Sequence, residues 1–535
     1  MKGHSGAIAF AAAVSIAAAF QATAGCLSPP SPDDSWELTE DVPKAWHAYL
    51  LSARTAEELS DPLARCLAYP DLPGTKWPEG YSAAHCHYHL GEVPSVAETE
   101  ELVSAGNIEE LERRVRLLIA THDTETPERE SVHWFFQQFS HEPEDGLRVT
   151  QRWLALAPDS ALAAVARGSA LKGAGWEIRG TRWARETSDA KMRLMSSYFD
   201  QAEEQFRRGV ELQPGWTFGY AGLMDIGKAD RDDVGDWAFE QANAIDPGCG
   251  EIAYRRMQSL EPRWGGSWEA MQAYAGQLAS HVERRPLLAN QISEPYVDFM
   301  SIIDRENRYT PDGIAMLELA VQTSGLEEGL QALADAIMSP ADGTPDVHRG
   351  VAMLLQYSRF QPASAWAERM IGRYFVRRDP AWAKAALERA VAEDPENAQG
   401  RYLLGAANYN TGDFSEAEPH YLAAAENADY RADALGELAE MWLFSSELKP
   451  AEAAVRVRPF VERLLTAYPK DPDGRYMRIA MKAAGPDGKL DVALIRDFLD
   501  VVDRSDGRQE RRRAELSKVL DALERGSGDV SITFE

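Results

Sequence analysis

Five consecutive residues, His85-Cys86-His87-Tyr88-His89, bring three imidazoles and a thiol into one short stretch. In an extended segment the alternate residues His85, His87 and His89 share one face. Three imidazoles on one face can hold zinc or copper. A second chemistry competes for the same stretch. Cys66 precedes Cys86 by 20 residues, across a region rich in Pro and Gly. A disulfide closing a loop of that size stabilises by roughly 3 kcal/mol in the chain-entropy view. The histidines would then decorate a turn. The Cys66–Cys86 disulfide is the reading adopted, with no metal and no cofactor assigned. The alternative is an envelope enzyme or metalloprotein that uses His85, His87 and His89.

Other chemistry-bearing groups read more plainly as structure. Cys249 sits in the helix-end turn Pro247-Gly248-Cys249-Gly250, and no signature joins it to a histidine as a catalytic thiol. It is a free thiol if Cys26 is lipidated; otherwise a Cys26–Cys249 bridge stays open. In Trp264-Gly265-Gly266-Ser267-Trp268 the glycines permit close backbone approach and Ser267 is placed to cap the next helix. Trp176 with Arg179 fits an arginine stacked on an aromatic ring. Asp230, Asp232 and Asp233 lack the spacing of a calcium loop. No H-E-x-x-H, G-x-S-x-G, phosphate loop or dinucleotide fingerprint occurs. No catalytic residue is assigned, and the chain is read as a non-enzyme.

At 535 residues the chain exceeds one core, so two or three units are expected. The 85 acidic against 56 basic residues leave a formal charge of −29, which argues against nucleic acid or an anionic membrane surface as partner. The first residues read as an export signal over 1–25. Lys2 supplies charge, Ala7–Phe20 is an apolar run of 14 residues, and Ala22-Thr23-Ala24 is an A-x-A cleavage site. Thr23-Ala24-Gly25-Cys26 is also similar to a bacterial lipobox, in which Cys26 would carry lipid and anchor the protein in a membrane. The Pro- and Ser-rich stretch 26–35 then serves as a linker. A lipid-anchored and a soluble periplasmic form both stay open; export into the cell envelope is common to them.

The elements that must position these groups are helices. Ser95–Ala105 and Ile108–Thr121 form a first pair, opened by a Ser95/Glu98 capping box. Leu147–Ala157, Ser160–Gly173, Ser188–Leu212, Trp216–Ile226 and Val234–Ile245 follow, with Pro158, Pro214 and Pro247 as stops. The expected divisions are a disulfide-bearing irregular segment over 36–94, a degenerate helical domain over 95–345, a repeat domain over 346–528 and a tail over 529–535. In the repeat domain two units start 34 residues apart, at Ser364 and Ala398. In the second, Leu404-Gly405, Gly412, Ala417, Tyr421 and Ala424 fall at positions 7–8, 15, 20, 24 and 27. In the first, Tyr374, Ala383, Leu387, Ala390 and Pro395 fall at positions 11, 20, 24, 27 and 32. Small residues let paired helices approach; large ones fill between layers. A third hairpin is expected from Leu435–Phe444 and Pro459–Tyr468.

This pattern resembles the tetratricopeptide-repeat superfamily at its own period. Pro214 and Pro247, 33 residues apart, extend degenerate units over 183–247, with Ala202, Phe206 and Gly209 at positions 20, 24 and 27. Trp176-x-x-Arg179-Gly180 and Pro262-Arg-Trp-Gly-Gly-Ser267 are similar to an uncharacterised bacterial domain of like repeats, covering about 95–300. The resemblance implies an all-α, TPR-like solenoid with a short irregular Cys-bearing N-terminal segment. It also implies a protein or peptide partner on a concave helical face, lined here by Gln399, Tyr402, Ala406, Tyr409 and Asn410. The same tyrosines could instead be core residues shifted in register.

Overall fold

The computed structural model describes residues 42–180, 186–230, 232–445, 448–485, 490–525 and 534. The export signal over 1–25, Cys26, the 26–35 linker and most of the 529–535 tail lie outside the described residues. Among the described residues there are helices and connections but no strand, and no helix is long and apolar enough to cross a membrane. The chain divides into two compact units, with a boundary between Ala363 and Ser364. That differs from a division at 345/346. The helix Val347–Phe360 is tied into the first unit, because Tyr49 Oη donates to Ala352 O at 3.1 Å and Arg359 Nε to Cys66 O at 2.8 Å.

The second unit is a tetratricopeptide-like stack of helical hairpins. Ala365–Phe375 pairs with Pro380–Glu393, and Ala398–Asn410 with Phe414–Ala424. Each start has a local cause. Ser364, Asp379 and Asn397 accept from the backbone N–H three residues on, which satisfies a donor the helix cannot. Gly412 ends a helix with φ +84°, a conformation that suits glycine. Within a hairpin the small positions are sterically required. A Cβ on Gly405 would stand 2.8 Å from the Tyr421 ring. Ala417, Tyr421 and Ala424 are sealed from solvent. Asn408 stands where the repeat prefers an apolar side chain; its Nδ2 donates to Leu404 O of its own helix at 2.9 Å. The third hairpin is Arg431–Glu440, continued by Met441–Ser445, against Pro450–Ala467. Pro459 lies inside that second helix instead of opening it; Pro450, at the first helical position, is the opener.

The first unit is also built of packed helices. Its longest contact joins Ala161–Arg179 to Asp189–Leu212. Ala161–Arg179 is buried on nearly all sides, and its glycines admit the partner's rings. A Cβ on Gly168 or Gly175 would meet Phe206 or Phe199 at 2.7 Å. Ser95 and Glu98 form the reciprocal capping box, at 3.1 and 2.8 Å. The Cys-bearing segment contains three short helices, Lys44–Ala56, Pro62–Ala68 and Tyr81–Leu90, around an irregular 69–80 stretch. The Pro- and Gly-rich part stays irregular; the flanks become helical because each finds a face of the unit to pack on.

Ala417→Leu is expected to destabilise the second unit by about 1–3 kcal/mol, the usual cost of overpacking. Glu416→Leu, on the exposed neighbouring position, should change stability by less than about 0.5 kcal/mol. Chemical-denaturation midpoints of the two variants measure the difference.

Candidate functional site

The helix Tyr81–Leu90 follows Gly80, whose φ of +77° turns the chain into it. In a helix, residues four apart share a face, so Tyr81, His85 and His89 line up and His87 turns away. The face that an extended segment would have given to all three histidines is therefore not formed. His87 Nε2 lies 3.7 Å from Glu128 Oε1 instead. Cys86, next along the helix, is bonded to Cys66 in a disulfide that ties this helix to Pro62–Ala68.

Glu327 meets the aligned histidines. It is the first residue of the helix Glu327–Met338, where the positive helix end favours a carboxylate. Its Oε1 lies 3.1 Å from His85 Nε2 and 3.0 Å from His89 Nε2. His85 and Glu327 are buried; His89 reaches towards solvent. The His85 ring stacks on Phe360 at 4.0 Å. Behind it, His85 Nδ1 is 3.0 Å from the Tyr81 hydroxyl, which accepts from Gly325 N–H at 2.8 Å and donates to Asn290 Oδ1 at 2.6 Å. Burial pushes the His85 imidazole below its ordinary pKa. Burial alone would raise the Glu327 carboxyl, but His85 and His89 overcome it and hold the group well below the usual carboxylate range.

A second cluster joins His122, His133 and Cys249, all buried. His122 and His133 pack edge to face at 4.9 Å, and both lie against Phe218. Burial holds each imidazole at about 3, with the Arg129 guanidinium adding to the effect. Burial pushes the Cys249 thiol up to about 11, so it is a poor nucleophile at neutral pH. Trp264 and Trp268 are packing groups. Trp268 Nε1 donates to Pro295 O at 2.8 Å, and Trp264 meets Trp176 at 6.3 Å. Arg179 lies over Trp176 at 5.4 Å.

The residues proposed to line a peptide face divide in the structure. Tyr409 and Asn410 are buried: Tyr409 Oη is 2.7 Å from Ser445 Oγ, and Asn410 Nδ2 donates to Val376 O at 2.7 Å. They hold layers together and do not face a ligand. Gln399 and Tyr402 stay half-buried; Gln399 Oε1 accepts from Arg369 Nε at 3.1 Å, and Tyr402 lies 5.8 Å from Tyr430. Glu327, Tyr81 and Asn290 were not visible to reasoning from sequence. The i, i+4 spacing of His85 and His89 was a usable signal, given a helix.

No protein-family model matches the chain, and no curated protein matches it in sequence. Among solved structures it is similar to the TPR domain of P58(IPK), at 11% identity and a TM-score of 0.26 over 79% of this chain and 100% of that one. It is also similar to the APC/C hetero-tetramer Cut9–Hcn1, at 10% identity and 0.29 over 78% and 95%. A human IFIT1 dimer with m7Gppp-AAAA matches at 12% identity and 0.27 over 84% and 95%. At these values neither partner nor activity transfers to this chain.

Replacing both Cys66 and Cys86 by Ser should cost about 3 kcal/mol, measured by denaturation, and non-reducing peptide mapping of the parent should recover the linked pair. Acid should also destabilise the first unit. Below about pH 6.5 an unfolded imidazole takes a proton, while folded His133 refuses it down to about 3. The unfolded state then binds more protons, and stability falls as pH falls through that window. Denaturation between pH 6.5 and 4 should show a slope flatter by about 1 kcal/mol per pH unit in His133→Gln than in the parent.

Proposed function

We propose that this protein is an exported helical-repeat scaffold of the bacterial cell envelope that binds a protein or peptide partner, acting by binding and not by catalysis. The observation that carries the reading is the run of hairpins stacked through Gly405, Ala417, Tyr421 and their counterparts. Such units bury their cores in their neighbours and leave a repeated row of first-helix side chains for a partner. On the adjacent first helices Ala365–Phe375 and Ala398–Asn410 that row holds half-buried Arg369, Gln399 and Tyr402 and exposed Arg373, with Tyr430 alongside. Tyrosine supplies apolar area with a polar tip, and arginine pairs with carboxylates. A peptide with an acidic side chain or a free carboxyl end suits this row. Nucleic acid does not suit a chain with a charge of −29.

Export is supported by the apolar Ala7–Phe20 run, the Ala22-Thr23-Ala24 site and a disulfide of the kind found in oxidising compartments. Cys26 is the lipid-bearing residue of an anchored form.

Crosslinked cell envelopes should yield a protein partner with the parent chain, and Tyr402→Ala or Arg373→Glu should weaken its capture by about 10-fold or more. Recovery of no partner, or capture unchanged in both variants, would count against the binding row. Mass spectrometry of the mature first residue separates the two exported forms: lipid-modified Cys26 marks the anchored one and unmodified Gly25 the soluble one. An uncleaved chain would sink export.

A further inference from the structure

We propose that His85, His89 and Glu327 form a binding site for one divalent transition-metal ion of the zinc type, which joins the disulfide-bonded helix Tyr81–Leu90 to the start of the helix Glu327–Met338. The ligand atoms are His85 Nε2, His89 Nε2 and Glu327 Oε1, which lie within 4.8 Å of one another. Each nitrogen is 3.0–3.1 Å from the oxygen. Tetrahedral zinc with bonds of about 2.0–2.1 Å sets its ligands about 3.3 Å apart, close to the two nitrogen–oxygen distances found here. Two imidazoles and a carboxylate are a zinc donor set, and they leave one coordination position open.

Hydrogen-bond accounting carries the argument further. The Tyr81 hydroxyl has one proton, and it goes to Asn290 Oδ1. The hydroxyl oxygen already accepts from Gly325 N–H. With that proton committed, its contact to His85 Nδ1 is made by an Nδ1–H donor. In the neutral ring that tautomer leaves His85 Nε2 as a bare lone pair facing a carboxylate oxygen at 3.1 Å. A bare nitrogen lone pair and a carboxylate oxygen at that distance are placed to share a cation. The buried Oε1 of Glu327 has no N–H or O–H directed at it, although two ring nitrogens stand near. Both imidazole nitrogens and the carboxylate oxygen are close enough to share one cation. The Tyr81 contact also does what outer partners of metal-bound histidines do: it fixes the ring and its tautomer. His89, with 15% of its side chain exposed, provides the path from solvent. The His122, His133 and Cys249 cluster is a weaker candidate, because the Arg129 guanidinium stands beside it and would repel a cation.

The test uses the full chain purified without a histidine tag, stripped with a chelator and titrated with Zn²⁺ alone. One zinc per chain is expected, with a rise in melting temperature. His89→Ala and Glu327→Gln should each weaken zinc binding by more than about 100-fold, and Tyr81→Phe by about 10–100-fold. His87→Ala should bind as the parent does. Circular dichroism without metal checks that each variant is folded. The parent alone supplies a second readout: Co²⁺ should give a tetrahedral d–d spectrum without a thiolate charge-transfer band. No stoichiometric zinc on the folded parent, binding unchanged in His89→Ala and Glu327→Gln, or a thiolate band that Cys249→Ser removes would each overturn the assignment.

Discussion

The ring of Tyr421 occupies the space into which any side chain on Gly405 would project. The same relation recurs where Phe206 meets Gly168 and Phe199 meets Gly175 in the first unit. An antiparallel pair of helices approaches this closely only where one side offers no Cβ or a single methyl group, and the resulting interface tolerates little added volume. The stacking in both units depends on that constraint. Once a pair is closed, its outer rows remain apolar and must be covered by the next pair, so the array propagates.

What the array presents is decided by the same packing. Large side chains at inward positions are consumed by the layers, as Tyr409 and Asn410 are through Ser445 and the Val376 carbonyl. Side chains nearer the start of the first helices stay at the rim, where Tyr402, Gln399 and Arg369 lie half-buried. A shift of register by one helical position exchanges these two fates, which is why residue type alone did not separate a contact surface from a core.

Buried ionisable groups concentrate in the first unit. Asp225 is met by Lys172 at 2.6 Å and by Arg255 at 3.1 Å, and Arg255 also pairs with Glu251. These charges satisfy one another where water is excluded, as buried charges must. The His85, His89 and Glu327 group differs in kind. Its carboxylate oxygen Oε1 lies 3.0–3.1 Å from two imidazole nitrogens, both carried by the helix that the Cys66–Cys86 bond restrains.

Much of the architecture was legible in the amino-acid order, because its causes are local. Ser95 with Glu98, Asp379 before Pro380, Pro395 and the alternation of Ala417, Tyr421 and Ala424 act within a few residues of themselves. Helix starts, stops and hairpin partners follow from such short-range rules. The 85–89 stretch was legible in composition but not in conformation. Alternating histidines suit a strand as well as a turn; in the structure the stretch is helical and packs on the Pro127–Ser131 turn and on the helices Pro62–Ala68 and Val347–Phe360. That choice paired His85 with His89 and turned His87 away. Glu327 lies more than two hundred residues from His89. Its place beside the histidines comes from how the intervening helices stack, a long-range outcome that no local spacing encodes. The amino-acid order by itself determined an all-helical repeat; the tertiary structure alone decided which of its polar side chains meet, because that depends on contacts summed across the whole unit.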